Sequence, residues 1–224
     1  MKKQDVATLV EKHGQRYSEL LGVNLKDAND KEVFKWFLAA VLFGAPITET
    51  SVVKTYKCFE KHEVLTPENI LKTGWGSLVE ILDEGSYTRY DYKTADKLLE
   101  IMKNLKTNYD GSLILLHEKA ADSLDLEKRL KELGKGIGDI TVSIFLRALR
   151  GIWSKADPKP TPRVILAAKN MGIAKTENPE KALKELKEFW KRNNVKGKSF
   201  VNFETTLLRL GSDMRRSKLS LSLR

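Results

Sequence analysis

Residues 133–149 read LGKGIGDITVSIFLRAL. Gly134, Gly136 and Gly138 alternate with Lys135 and Ile137 directly ahead of an apolar run with helical spacing. Glycine is a poor helix former, so its place against a core helix marks either a plain turn or a backbone that comes very close to something. In a tight reversal the backbone N–H groups converge at a helix N-terminus and can hold a phosphate without reading sequence. Lys135 adds a mobile charge at the tip, and Ile137 can point inward as an anchor. Asp139 suits the start of the second helix, but its charge repels a phosphate unless it turns aside. Cys58 and His62, four residues apart, have the spacing of a nucleophile and its base on a helix. TYKCFEKHEV reads as an amphipathic helix, however, in which Cys58 packs. His13, His62 and His117 lack metal-ligand spacing. One cysteine cannot form an intrachain disulfide, a Cys-ligated zinc site or an iron–sulfur cluster. No metal or other cofactor is expected.

A second group with binding chemistry is Tyr87, Arg89 and Tyr90 in EGSYTRYDYK. Aromatic rings and arginine on a loop suit stacking on an exposed base, and the competing reading folds these rings back onto the helices. Lys135, Lys155, Lys159, Arg163, Arg215 and Arg216 are candidates to meet phosphates. KALKELKEFWKRNN alternates Lys and Glu at helical spacing and reads as an ion-paired outer face. The net charge of +10 favours a polyanionic partner, nucleic acid foremost. A Lys-rich proteome gives the same charge with no such partner.

Helices must position these residues. The periodicity is helical nearly throughout, and no stretch of alternating β-branched residues competes. Asp30 is a candidate cap for a helix whose Val33, Phe34, Phe37, Leu38, Val41 and Leu42 form a wide apolar face stopped at Gly44-Ala45-Pro46. Thr48 or Thr50 caps the next. LTPENILKTG, with Thr66 as cap and Pro67 in the first turn, and GSLVEILDEG read as two short helices. After the glycines, Ile140, Ile144, Phe145 and Leu149 are expected to face the core. Residues 151–162, GIWSKADPKPTP, form the one composition break and read as a stiff linker or loop. The basic RRSKLSLSLR tail is expected to fray or dock weakly. Hydrophobic content of 41% and charged content of 31% suit a soluble globular protein. No apolar run approaches the ~20 residues that span a bilayer. MKKQDVATLVEKHG lacks the apolar core of a secretory signal. An intracellular protein without membrane partners is expected.

The hairpin LKELGKGIGDITVSIFLRAL, the apolar helix and turn FLAAVLFGAPITETSV and the Pro-rich loop resemble, in that arrangement, the helix-hairpin-helix superfamily of base-excision DNA glycosylases, the endonuclease III-like group. The resemblance covers residues 30–170; it is specific at the hairpin, where Gly136, Ile137 and Gly138 match and Lys135 stands in place of the usual proline. It implies an all-α, two-domain fold with DNA in a cleft. One domain would span residues 33–150 and the other residues 1–32 plus 151–224. The expected function is DNA repair by a monomeric, cytoplasmic, nucleoid-associated protein that grips double-stranded DNA, flips a damaged base and hydrolyses its glycosidic bond.

The resemblance also assigns roles. Gly134, Lys135, Gly136, Ile137 and Gly138 would hold the DNA backbone. Pro46 and Ile47 occupy the place of the side chain that fills the flipped-base gap, with Tyr87, Arg89 and Tyr90 as a second wedge. The bifunctional members' Schiff-base lysine is replaced by Ile140, and without an amine there is no lyase chemistry from that position. Asp157 is the candidate catalytic carboxylate, although ungapped alignment puts Pro158 there and a turn residue before proline is the plainer reading. Members' iron–sulfur cysteines are missing. The expectation is a monofunctional DNA glycosylase. A catalytically silent DNA-binding relative and a helical protein–protein module are the alternatives.

Overall fold

The fold, a computed structural model, describes the backbone of residues 3–222 and the side chains of residues 4–216. Among these residues all regular structure is helical: the chain is all-α. In order the helices are α1 (Lys3–His13), α2 (Tyr17–Leu20), α3 (Asp30–Phe43), α4 (Glu49–Lys61), α5 (Pro67–Glu84), α6 (Asp91–Tyr109), α7 (Leu113–Lys119), α8 (Ser123–Glu132), α9 (Asp139–Leu149), α10 (Pro162–Asn170), α11 (Pro179–Asn193) and α12 (Phe200–Ser222).

Local chemistry sets the boundaries. Thr48 caps α4 by accepting from the Ser51 N–H, and Thr66 caps α5 by accepting from Asn69. At α3 the cap is Asn29 rather than Asp30. Asp30 instead accepts from the Ser112 hydroxyl and the Ile114 N–H, and so ties α3 to the start of α7. The two short helices expected around Gly74 are the halves of α5, bent where Gly74 takes φ 74° and ψ 170°.

The chain divides into two compact units, Leu21–Pro158 and Met1–Leu20 with Lys159–Arg224. These limits lie outside the expected 33 and 150. Leu21, Val23 and Leu25 are buried, and the Asn24 N–H donates to Glu32 on α3. At the other end Trp153 packs edge-on against Phe145 and flat on His117. Both flanks therefore belong to the first unit's core.

In that unit α3 is the central helix: every residue from Val33 to Leu42 except Lys35 is buried. It packs on α9, where the Trp36 indole N–H donates to the Phe145 carbonyl at 3.0 Å and Phe37 meets Phe145 edge-on at 5.1 Å. Burying each such side chain contributes about 1.5–3 kcal/mol, and the indole bond keeps its polar atom satisfied.

The other unit closes around Val6, Val10, Val164, Leu186, Phe203 and Leu207. Asn202 donates to the Gly14 carbonyl, and Arg209 donates to the carbonyls of His13 and Gln15 while covering the Tyr17 ring at 4.5 Å. The carbonyls of His13, Gly14 and Gln15, where α1 ends, are thereby satisfied.

Candidate nucleic-acid interface

The glycine hairpin joins α8 to α9 and is braced by one face of α6. Lys97, Glu100, Ile101 and Asn104, at helical spacing, all meet it. Asn104 donates to the Leu133 carbonyl at 2.9 Å, which holds the end of α8. A Cβ on Gly134 would lie 2.9 Å from Ile101 Cγ1, so glycine permits the close approach. Gly136 has φ 85°, and a Cβ there would lie 2.8 Å from Lys97 Cε. Positive φ and tight contact together require glycine. Ile137 is buried, and its N–H closes the turn onto the Gly134 carbonyl at 3.3 Å.

Gly138 is the N-cap of α9, in extended conformation with φ −104°, and no side chain caps this end. A Cβ built on Gly138 meets nothing within 4 Å. The first-turn N–H groups of α9 therefore open onto an unobstructed glycine. Such groups carry partial positive charge and favour an anion.

The charges around the turn are mixed. Lys135 is exposed, while its backbone N–H donates to the Glu100 carboxylate at 3.1 Å. One hairpin amide is thus already engaged by an anion, and a phosphate would use the remaining ones. Lys97 lies half-buried against Gly136, and burial lowers its pKa from the ordinary lysine value. Asp139 pairs with Lys131 at 2.5 Å, which offsets the charge that would repel a phosphate.

The turn after α3 approaches the same helix end. A Cβ on Gly44 would collide with Thr141 Oγ1. Pro46 in this turn is exposed and Ile47 half-buried. The turn that leads to Pro46 and Ile47 thus starts against the first turn of α9, at the Gly44–Thr141 approach. Ile140 does not face the core as expected: it is 63% exposed, because the buried stripe of α9 begins at Thr141 and Val142 and continues through Phe145 and Leu149.

Other expected residues lie elsewhere. Tyr87 cannot stack on a base: it is wholly buried, and its hydroxyl donates to the Leu42 carbonyl at 2.6 Å. Burial pushes its phenol pKa up. Arg89 is exposed, with its guanidinium over the half-buried Tyr90 ring at 5.5 Å. Arg163 is exposed in the first turn of α10, in the other unit. Lys155 spans the end of α7, donating to the carbonyls of His117 and Glu118, so it serves as a helix cap. Lys159 pairs with Glu180 at 2.6 Å, and Arg216 lies 3.8 Å from Asp213. Arg215 is exposed.

Asp157 forms an ion pair with Arg150, which also donates to the Pro158 carbonyl at 2.7 Å. Arg150 caps the C-terminal end of α9, whose opposite end carries the hairpin. The eleven residues of α9 span roughly 16 Å at about 1.5 Å per residue.

His62 turns to Glu84 at 2.7 Å, where Lys61 binds the other carboxylate oxygen at 2.7 Å. Lys61 and His62 lower the Glu84 pKa to about 2. The Cys58 thiol is buried, and burial, then the Glu84 charge, raise its pKa. A neutral buried thiol is a poor nucleophile. Among the described residues no group of three or more His, Cys, Asp or Glu side chains is arranged to hold a metal, and no helix is long and apolar enough to cross a membrane.

Lys97, Glu100 and Asn104 are not among the residues that the sequence alone singles out. Their signal is three polar residues at positions i, i+3 and i+7 of an otherwise apolar-faced helix, DYKTADKLLEIMKNLKTNY, which matter once that face is known to meet the hairpin. Comparison with protein-family models, curated proteins and solved structures finds no match.

Proposed function

We propose that this chain binds double-stranded DNA by holding one backbone phosphate at the Gly136–Thr141 segment, in the manner of a helix-hairpin-helix DNA repair protein. The observation that carries the reading is the uncapped start of α9 behind Gly138, where a Cβ would meet nothing within 4 Å. A phosphate there gains charge-assisted hydrogen bonds from backbone amides, and the contact positions a duplex without reading sequence. The exposed Lys135 contributes charge, and Pro46, Ile47 and Ile140 present apolar surface beside the same helix end, suited to parting a base step. The test is anisotropy of a labelled duplex. Tight, salt-dependent binding that Lys135→Glu weakens supports the reading; no binding at low salt removes it.

A second reading, excision of a damaged base by a two-domain glycosylase, is favoured by one observation. Asp157 is ion-paired with Arg150, and it is a side chain of the type that stabilises an oxocarbenium ion or activates water in such a reaction. Its place at the far end of α9 weighs against it. Under this reading Asp157→Asn abolishes base release from lesion-bearing duplexes and spares their binding. Absence of release by the unaltered protein across a lesion panel leaves the DNA-binding reading alone.

A further inference from the structure

One large aromatic surface has no part in the hairpin. Trp75 is 42% exposed and Tyr92 is 58% exposed, and their rings lie 5.4 Å apart with a tilt of 35°. The Gly74 bend, at φ 74°, separates Trp75 from the apolar face that continues with the buried Leu78 and Leu82. The indole does not hang loose, because its N–H donates to the Asp96 carboxylate at 2.9 Å. A large apolar ring fixed in solvent by a hydrogen bond and a second ring is pre-organised for a planar ligand.

Its place on the fold suggests which ligand. Asp96 precedes Lys97 on α6 and lies four positions before Glu100; Lys97 and Glu100 both touch the hairpin. Four residues advance a helix by about 6 Å, close to two base steps at ~3.4 Å each. The exposed Lys72 and Lys93 lie on the same two helices. A strand held at the hairpin could therefore bring a neighbouring base to the rings. The second Asp96 oxygen remains an acceptor for a donor on that base. Cytosine, adenine and guanine carry an exocyclic amine; thymine does not.

We propose that Trp75 and Tyr92 form a stacking platform for one unpaired, amine-bearing nucleobase, with Asp96 accepting from its amine. The strand path rests on the hairpin reading above; the platform has its own readout. Trp36 and Trp153 are buried, and Trp190 stacks on Phe203, which leaves Trp75 as the exposed indole. Intrinsic fluorescence is titrated with oligodeoxycytidine and oligothymidine of equal length, and binding is followed in parallel by anisotropy of labelled strands.

Oligodeoxycytidine should quench the emission and bind at least about 5-fold tighter than oligothymidine. Trp75→Ala and Tyr92→Ala should each weaken its binding by roughly 5- to 100-fold with unchanged circular dichroism. Asp96→Asn should erase the preference for cytosine. Unchanged binding in both ring variants overturns the platform. So does quenching by tetramethylammonium without quenching by either oligonucleotide, which marks a cation box. If the ring variants bind normally while Lys135→Glu weakens duplex binding, the platform fails and the hairpin reading stands. If the ring variants lose single-strand binding while hairpin variants keep duplex binding, the hairpin reading fails and the platform stands.

Discussion

Gly138→Ala separates the fold of the hairpin from its use. The position has φ −104° and ψ −175°, which any residue adopts, and the added methyl meets nothing within 4 Å. Replacing glycine by alanine at an N-cap costs up to about 1 kcal/mol. Restricting the unfolded chain offsets this by about 0.4–1 kcal/mol. The net change in stability is therefore near zero, and a residual 1 kcal/mol would shift Tm by only about 2–4 °C in a chain of this size. Binding responds differently, because the methyl occupies the open space through which a phosphate reaches the first-turn amides. A hydrogen bond to a charged group contributes about 1.5–3 kcal/mol, so losing one raises Kd roughly 10- to 150-fold. If the displaced phosphate also leaves the Lys135 ammonium, the slope of log K against log salt falls by up to about 0.9. Duplex titrations at several salt concentrations, with thermal melts alongside, read both quantities. Wild-type affinity and wild-type slope in a well-folded Gly138→Ala protein would refute the phosphate clamp.

Other perturbations test the surroundings. Gly136→Ala places a side chain at φ 85° and 2.8 Å from Lys97 Cε, so it should destabilise the protein by about 1–3 kcal/mol, read by urea denaturation. Tyr87→Phe removes the buried bond to the Leu42 carbonyl and should cost about 1–2 kcal/mol of stability while duplex affinity stays unchanged; a lost affinity would return Tyr87 to the interface. His117 stacks on Trp153 with its Nε2 buried and without a hydrogen-bond partner; burial, then the Lys155 charge, lower its pKa below the ordinary 6.5. The unfolded chain then binds the proton more readily, so this contribution is fully present above pH 6.5 and declines as pH falls from there through the folded-state pKa. Urea midpoints at pH 7.5 and 5.5 should differ more in the wild type than in His117→Phe, which keeps a ring on Trp153; equal differences would remove His117 from the account.

The helical pattern was legible where local chemistry decides it. Thr48, Thr66 with Pro67, Gly44 and the glycine hairpin all punctuate helices as their types dictate. Side-chain direction was harder to read where a helix begins. Ile140 belongs to an apolar run, yet it precedes the stripe that α3 covers, and only the packing of α3 on α9 shows this. Tyr87 reads as a loop aromatic in sequence, but the Leu42 carbonyl at the end of α3 draws it inside. The α6 brace shows locally only as polar residues on one face of a helix, with nothing to say what that face meets, and the Trp75–Tyr92 pair joins residues from two helices, so neither partner is legible in sequence. The same holds for the first unit's limits, which follow from the burial of Leu21 and Trp153 rather than from the composition break at residues 151–162.

The most direct measurement is an amide-resolved NMR titration of the protein with a short duplex. If a phosphate sits at the hairpin, the largest shifts fall on the amides of Gly136, Gly138, Asp139 and Ile140, and they fade as salt is raised. Saturation of the complex with those four amides unmoved would contradict the assignment of the hairpin to DNA.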